Sequence, residues 1–165
     1  MFDFFHFENY FKIIDKEVIK ETTWGSGNYK ERTVLLWDLE NISYRYFEKV
    51  KKLLRFAPER SFIVTTQAIE ASKLISMQKD GFEILRAHKT DSDTKIKNVF
   101  NILKDYDAFV FISSDSDFVD IGKKVLSQGK KLTWVIQDTN KKRIMMKMDI
   151  SHKNLKLITL SRFEL

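Results

Sequence analysis

Short apolar runs alternate along the chain with longer stretches in which apolar residues recur every three or four positions. From residue 33 onward the runs are TVLLW (33–37), SFIVTT (61–66), FEILRA (82–87), AFVFIS (108–113), KLTWVI (131–136) and LKLITL (155–160). Runs of this length, rich in β-branched and aromatic residues, predict strands. Between them, YRYFEKVKKLLRF (44–56), AIEASKLISMQKD (68–80), TKIKNVFNILKDY (94–106), DFVDIGKKVLSQ (117–128) and the short KKRIMMKM (141–148) predict helices. The second and fourth helices end against Gly81 and Gly129, the residue type favoured just past a helix C-terminus. Strands alternating with helices predict an α/β fold: a mostly parallel central sheet with helices on both faces. TVLLW and AFVFIS carry no charge, as expected of parallel strands buried on both sides.

Upstream, Phe4, Phe7, Phe11, Ile14 and Val18 fall on one helical face, which predicts an amphipathic N-terminal helix over residues 3–20. Gly25 and Gly27 then break the pattern, as in a turn or connector. The chain therefore divides into a helix and connector over 1–32 and an α/β domain over 33–165. The aromatic stripe must cover either the domain core or a second copy of the chain, so a homodimer through this helix stays open beside packing in cis.

Composition narrows the class. The 165 residues, 43% hydrophobic and 32% charged, read as one soluble globular domain. No cysteine is present, which excludes disulfides, thiolate metal sites and a cysteine nucleophile and fits a cytoplasmic location. No apolar run approaches the ~18 residues of a membrane span. The apolar N-terminus carries Asp3 and Glu8 and lacks the basic start of a signal peptide, so no membrane partner is expected. The net charge of +6 is unevenly spread: residues 1–120 hold 18 Lys/Arg against 20 Asp/Glu, whereas residues 121–165 hold 11 against 3. A basic segment following an acidic one suits a polyanion held by lysines beside a metal; a solvated lysine-rich face accounts for the same composition.

The acids fall where the predicted strands end. Asp38 closes the first strand within WDLEN, Asp115 and Asp117 follow the fourth within SSDSDF, and Asp91 and Asp93 follow the third within HKTDSD. Open parallel sheets place functional groups at the carboxyl ends of their strands. If strands one, three and four are near neighbours, Asp38, Asp93, Asp115 and Asp117 converge, with Asp91 as the alternative to Asp93. Two carboxylates 4 Å apart repel by roughly 4 kcal/mol at an effective dielectric of 20, so such a cluster calls for protons or a cation. Oxygen ligands without His or Cys suit Mg²⁺ or Mn²⁺, and a cation there would assist phosphodiester hydrolysis. Taken singly, Asp93 and Asp117 also suit helix caps, Asp120 suits a helix surface, and Glu40 suits either a metal neighbour or solvent. His6, His88 and His152 form no recognisable catalytic set, and neither Ser113 nor Ser114 has a Ser-His-Asp spacing.

VLLWDLENI, KTDSDTKI and AFVFISSDSDFVDIGKKVLSQGKKLTWV resemble the NYN family of PIN-like nucleases over roughly residues 33–160. The resemblance implies a three-layer PIN-like, Rossmannoid fold and a Mg²⁺- or Mn²⁺-dependent ribonuclease. Asp38, Asp93, Asp115 and Asp117 would be its metal and catalytic acids. Asn41 would orient a ligand or substrate, and Phe118 would be a packing residue. Ser114 departs from the glycine usual at its position. The expected partner is nucleic acid, RNA rather than DNA, with Lys89, Lys123, Lys124, Lys141, Lys142 and Arg143 as candidate backbone contacts. The alternative is a catalytically silent module of the same family that binds RNA or protein. A phosphatase of the haloacid dehalogenase type fits less well, because Glu40 stands where its second Asp belongs. A toprim domain fits less well because Asp38 stands in place of its glutamate.

Overall fold

The computed structural model describes residues 31–54, 57–65, 67–86, 104–115, 118–149 and 151–161. The helix predicted over 3–20 and most of that predicted over 94–106 lie outside these residues. The described elements follow in the order β1 (Thr33–Asp38), a 3₁₀ turn (Tyr44–Tyr46), α1 (Phe47–Leu54), β2 (Arg60–Thr65), α2 (Ala71–Lys79), β3 (Phe82–Arg86), β4 (Ala108–Ile112), α3 (Phe118–Ser127), β5 (Lys131–Gln137), a 3₁₀ turn (Asp138–Asn140), α4 (Lys141–Lys147) and β6 (Leu155–Leu160). All six predicted strands form, each within a residue of its expected bounds.

The strands make one sheet in the order β3-β2-β1-β4-β5-β6, and every neighbouring pair is parallel. The strand order steps one way from β1 to β3, then reverses to run from β4 to β6. Such a reversal leaves a crevice at the carboxyl ends of the two strands where it occurs, here β1 and β4. The third strand is not a near neighbour of the first, as the convergence of all four acids supposed. It forms the sheet edge, with β2 between it and β1, so its carboxyl end stands about 10 Å from that of β1.

Side chains alternate across the sheet and build two cores. Val34, Leu36, Phe109 and Phe111 face Phe118, Ile121 and Val125 of α3 and Ile144 of α4. Leu35, Trp37, Val110 and Ile112 face Phe47, Val50 and Leu54 of α1 and Met77 of α2. The result is helix, sheet, helix. Each such side chain contributes roughly 1.5–3 kcal/mol through removal from water. α3 sits close on β5 because Gly122 has no Cβ: one placed there would come within 3.0 Å of Met148 Cε and 3.1 Å of Leu132 Cδ2. α3 ends as the sequence predicts. Gly129 takes φ +75°, which lets its N–H reach Leu126 O at 3.0 Å and the Lys130 N–H reach Val125 O at 3.3 Å.

α2 starts three residues later than predicted. The Thr65 hydroxyl accepts from the Gln67 N–H at 3.1 Å, and this side-chain turn competes with helix formation. Residues 67–70 are therefore loop.

Among the described residues, one ionic contact lies inside the fold. Glu83 on β3 is fully buried and accepts from Arg60 Nε of β2 at 2.9 Å, with a second contact from the guanidinium to its other oxygen. Burial raises the Glu83 carboxyl above its ordinary value, and Arg60 opposes that shift. A raised folded value means that Glu83 contributes most to stability below the ordinary carboxylate range, and that this contribution falls as pH rises through the folded value. Arg60→Met would leave the carboxylate buried without its counter-ion. We expect a loss on the order of 3 kcal/mol at neutral pH by urea unfolding. The loss should shrink as pH falls and Glu83 takes up a proton; a loss independent of pH would show that the pair is not its source.

Candidate metal centre

Asp38 is the last residue of β1 and is 5% exposed. The chain turns sharply after it, and its carbonyl accepts the N–H groups of Asn41 at 3.2 Å and Ile42 at 3.1 Å. Trp37 secures the turn from beneath by donating its indole N–H to Ile42 O at 2.8 Å. This turn folds the Asn41 amide back onto the Asp38 carboxylate, where Nδ2 donates to Oδ2 at 2.6 Å. The D-x-x-N spacing is thus a local clamp in which the asparagine fixes the carboxylate three residues earlier.

The second clamp comes from β4. Trp37 is in register with Ile112, so the next residues, Asp38 and Ser113, meet across the β1/β4 pair. Both belong to the side-chain set that faces α3. The buried Ser113 hydroxyl donates to Asp38 Oδ2 at 2.8 Å and accepts the Asp115 N–H at 3.0 Å. One hydroxyl therefore separates the Asp38 carboxylate from the Asp115 main chain. The Asp115 carbonyl in turn accepts the Phe118 N–H at 3.2 Å, which ties the loop to the start of α3. Phe118 is buried against Phe111, with ring centroids 5.6 Å apart, and serves packing as expected.

The rest of the loop is held from β5 and α4. Ser113 O accepts the Trp134 indole N–H at 2.8 Å. The Ser114 hydroxyl accepts the Gln137 N–H at 3.1 Å, so the residue that departs from the family's glycine pins this loop to the end of β5. Arg143 Nη2 donates to Ser114 O at 3.1 Å and to Asn140 Oδ1 at 2.8 Å. Arg143 braces the acidic loop, a role that the sequence did not suggest. Lys141 and Lys142 are exposed at the first turn of α4, at the same edge of the sheet. Lys123 and Lys124 are exposed within α3, roughly 7–9 Å along its axis from Phe118. Asp120 is exposed on α3. His152 closes a turn by accepting the Asn154 N–H on Nδ1 at 3.1 Å, at the opposite edge.

Asp38 and Asp115 thus stand at the carboxyl ends of adjacent strands, at the crevice where the strand order reverses. Asp93, Asp91, Asp117 and Lys89 lie outside the described residues. Among the described residues no group of three or more His, Asp or Glu side chains gathers. The donor set that is described, two carboxylates and no nitrogen or sulfur ligand, fits Mg²⁺ or Mn²⁺, because Mg²⁺ is commonly held by one or two carboxylates and completes its shell with water. The residue that sequence reasoning missed is Ser113. The signal available was a hydroxyl residue at the end of an apolar strand, directly before the acids.

The family model for the NYN domain matches residues 32–151. The crystal structure of a protein of unknown function from Vibrio parahaemolyticus is similar to this chain, with a TM-score of 0.59 at 15% identity. The match covers 83% of this chain and 97% of that one. At that identity the likeness shows the fold. No curated protein matches the sequence of the chain.

Replacing Ser113 by Ala would remove the hydroxyl that accepts the Asp115 N–H and take one donor from Asp38. We expect a stability loss of about 1–3 kcal/mol, read by urea unfolding. A change below about 0.5 kcal/mol, the usual effect of an ordinary surface substitution, would mean that the hydroxyl does not join the two strand ends.

Proposed function

The chain belongs to the NYN domain family, and from that premise we propose that it is a Mg²⁺- or Mn²⁺-dependent nuclease hydrolysing phosphodiester bonds, in RNA rather than DNA. The observation that carries the reading is the Ser113 hydroxyl bridging the Asp38 carboxylate and the Asp115 main chain at the strand-order reversal. Family membership supports a nuclease-type function. The oxygen-only pair of acids supports a hard divalent cation, held by Asp38 and Asp115 together with Asp93, or Asp91, and Asp117.

Each residue of this chain then has a definable task. Ser113 and Asn41 donate to one oxygen of Asp38, complement its negative charge and fix its rotamer. Such partners of a ligating carboxylate typically govern metal affinity by 10–100-fold. Asp115 is presented by a loop held at both ends, by Ser113 and by Phe118. Arg143 fixes the Ser114 carbonyl, directly before Asp115. Lys141 and Lys142, with Lys89, would draw the phosphate backbone to this edge. Lys123 and Lys124 on α3 would meet a more distant part of the strand. When bound, the cation supplies charge that polarises the phosphoryl group and lowers the pKa of the attacking water.

Cleavage of a labelled single-stranded RNA in Mn²⁺ tests this directly. We expect wild-type activity that EDTA abolishes, and a fall of about 100-fold or more in both Asp38→Asn and Asp115→Asn, because the charge at the reacting phosphate is lost. Equal residual activity in wild type and variants would assign the activity to a contaminant. RNA binding without cleavage in any divalent metal would favour the silent module.

A further inference from the structure

A cleft of about 950 Å³ opens beside the acids at the carboxyl edge of the sheet. It lies on the opposite side of that edge. Asp38 follows Val34 and Leu36 on the face toward α3, whereas the cleft's apolar wall, Leu39, Tyr44, Ile69 and Met77, belongs to the face toward α1 and α2. Asn41 joins the two: it donates to Asp38 and also lines the cleft. A ligand with one group at the acids and the next in the cleft must cross the sheet edge at Asn41. That is the shape of a chain, not of a compact molecule.

The lining suits a nucleotide. Tyr44 is stacked on Phe47, 5.0 Å between centroids and 11° between planes, and its hydroxyl donates to Asp80 at 2.5 Å. It is therefore a rigid aromatic wall. Gln67 and Gln137 line the cleft; among the described residues neither side-chain amide has a hydrogen-bond partner. Each offers both a donor and an acceptor, as recognition of a base edge requires. Arg45 and Lys73 line the cleft and are exposed, as are the carboxylates Glu40 and Glu70; among the described residues neither Arg45 nor Lys73 forms an ion pair.

We propose that this cleft is the subsite for the nucleotides that flank the scissile phosphate of a single-stranded RNA. A base lies against Leu39 and Tyr44, its edge meets Gln67 or Gln137, and the following phosphates meet Arg45 and Lys73. The strand runs from the Lys141–Lys142 side of the sheet edge, over Asn41, to α2. Base edges are open to amides only in unpaired RNA, which sets single strands apart from duplexes. The inference rests on the nuclease reading for its scissile phosphate, but not for RNA binding in the cleft.

The test is fluorescence anisotropy of a labelled single-stranded oligoribonucleotide with the full chain in EDTA, across a salt series. Arg45→Ala combined with Lys73→Ala, both exposed and so compatible with an unchanged melting temperature, should weaken binding roughly tenfold. It should also flatten the slope of log affinity against log salt by about 1.4, at about 0.7 per phosphate contact. Gln67→Ala should weaken binding with the slope unchanged, and Lys153→Ala, at the opposite sheet edge, should bind as wild type. Wild-type affinity and slope in the double variant would overturn the proposal, as would duplex RNA binding as tightly as the single strand. If the double variant loses affinity but wild type cleaves nothing in Mn²⁺, the subsite stands and the nuclease reading falls. If wild type cleaves and the double variant binds and cleaves equally well, the nuclease reading stands and the subsite falls.

Discussion

The hydroxyl of Ser113 does at one point what a cation site requires of the whole sheet: it joins an acid on one strand to an acid loop on the next. It donates a hydrogen bond to the Asp38 carboxylate and accepts one from the Asp115 N–H. The geometry is available because β1 and β4 are in parallel register with Trp37 opposite Ile112. That register is fixed by two cores whose side chains alternate along both strands. A slip of one residue would move every core side chain to the wrong face and pull Ser113 away from Asp38. The packing energy of the sheet therefore also sets the position of the acids.

The supports around that point come from every side. Asn41 clamps Asp38 from its own turn, Trp134 and Gln137 hold the Ser113–Ser114 segment from β5, and Arg143 reaches it from α4. A carboxylate at a sheet edge costs stability through desolvation and repulsion from its neighbours. Hydrogen-bond donors aimed at it offset part of that cost in the folded chain. A divalent cation would offset more of it. On the proposed reading Lys141 and Lys142, which follow β5 at the acidic edge, would draw a polyanion toward the metal that the acids would hold.

Much of this could be read from the residues. Apolar runs located the six strands, and Gly81 and Gly129 marked the ends of two helices, because burial on both faces and a left-handed backbone leave few alternatives. The fall of acids after strands one and four pointed to the carboxyl edge of β1 and β4, where Asp38 and Asp115 stand. What stayed hidden follows from long-range pairing. Nothing local to FEILRA says that it lies at the sheet edge with β2 between it and β1. Arg143 read as a phosphate contact, because its carbonyl partner at Ser114 lies 29 residues away. Gln67 and Gln137 carry no periodic signal, since an exposed amide resembles any surface residue until a cleft forms beside it.

Whether Asp38 and Asp115 share one divalent cation is decided by an anomalous difference map from crystals of the full chain soaked in Mn²⁺. A peak is expected between the two carboxylates at the β1/β4 crevice, with its loss in crystals of Asp38→Asn. A well-diffracting soaked crystal with no peak there, or with Mn²⁺ bound only elsewhere on the surface, would contradict a shared site.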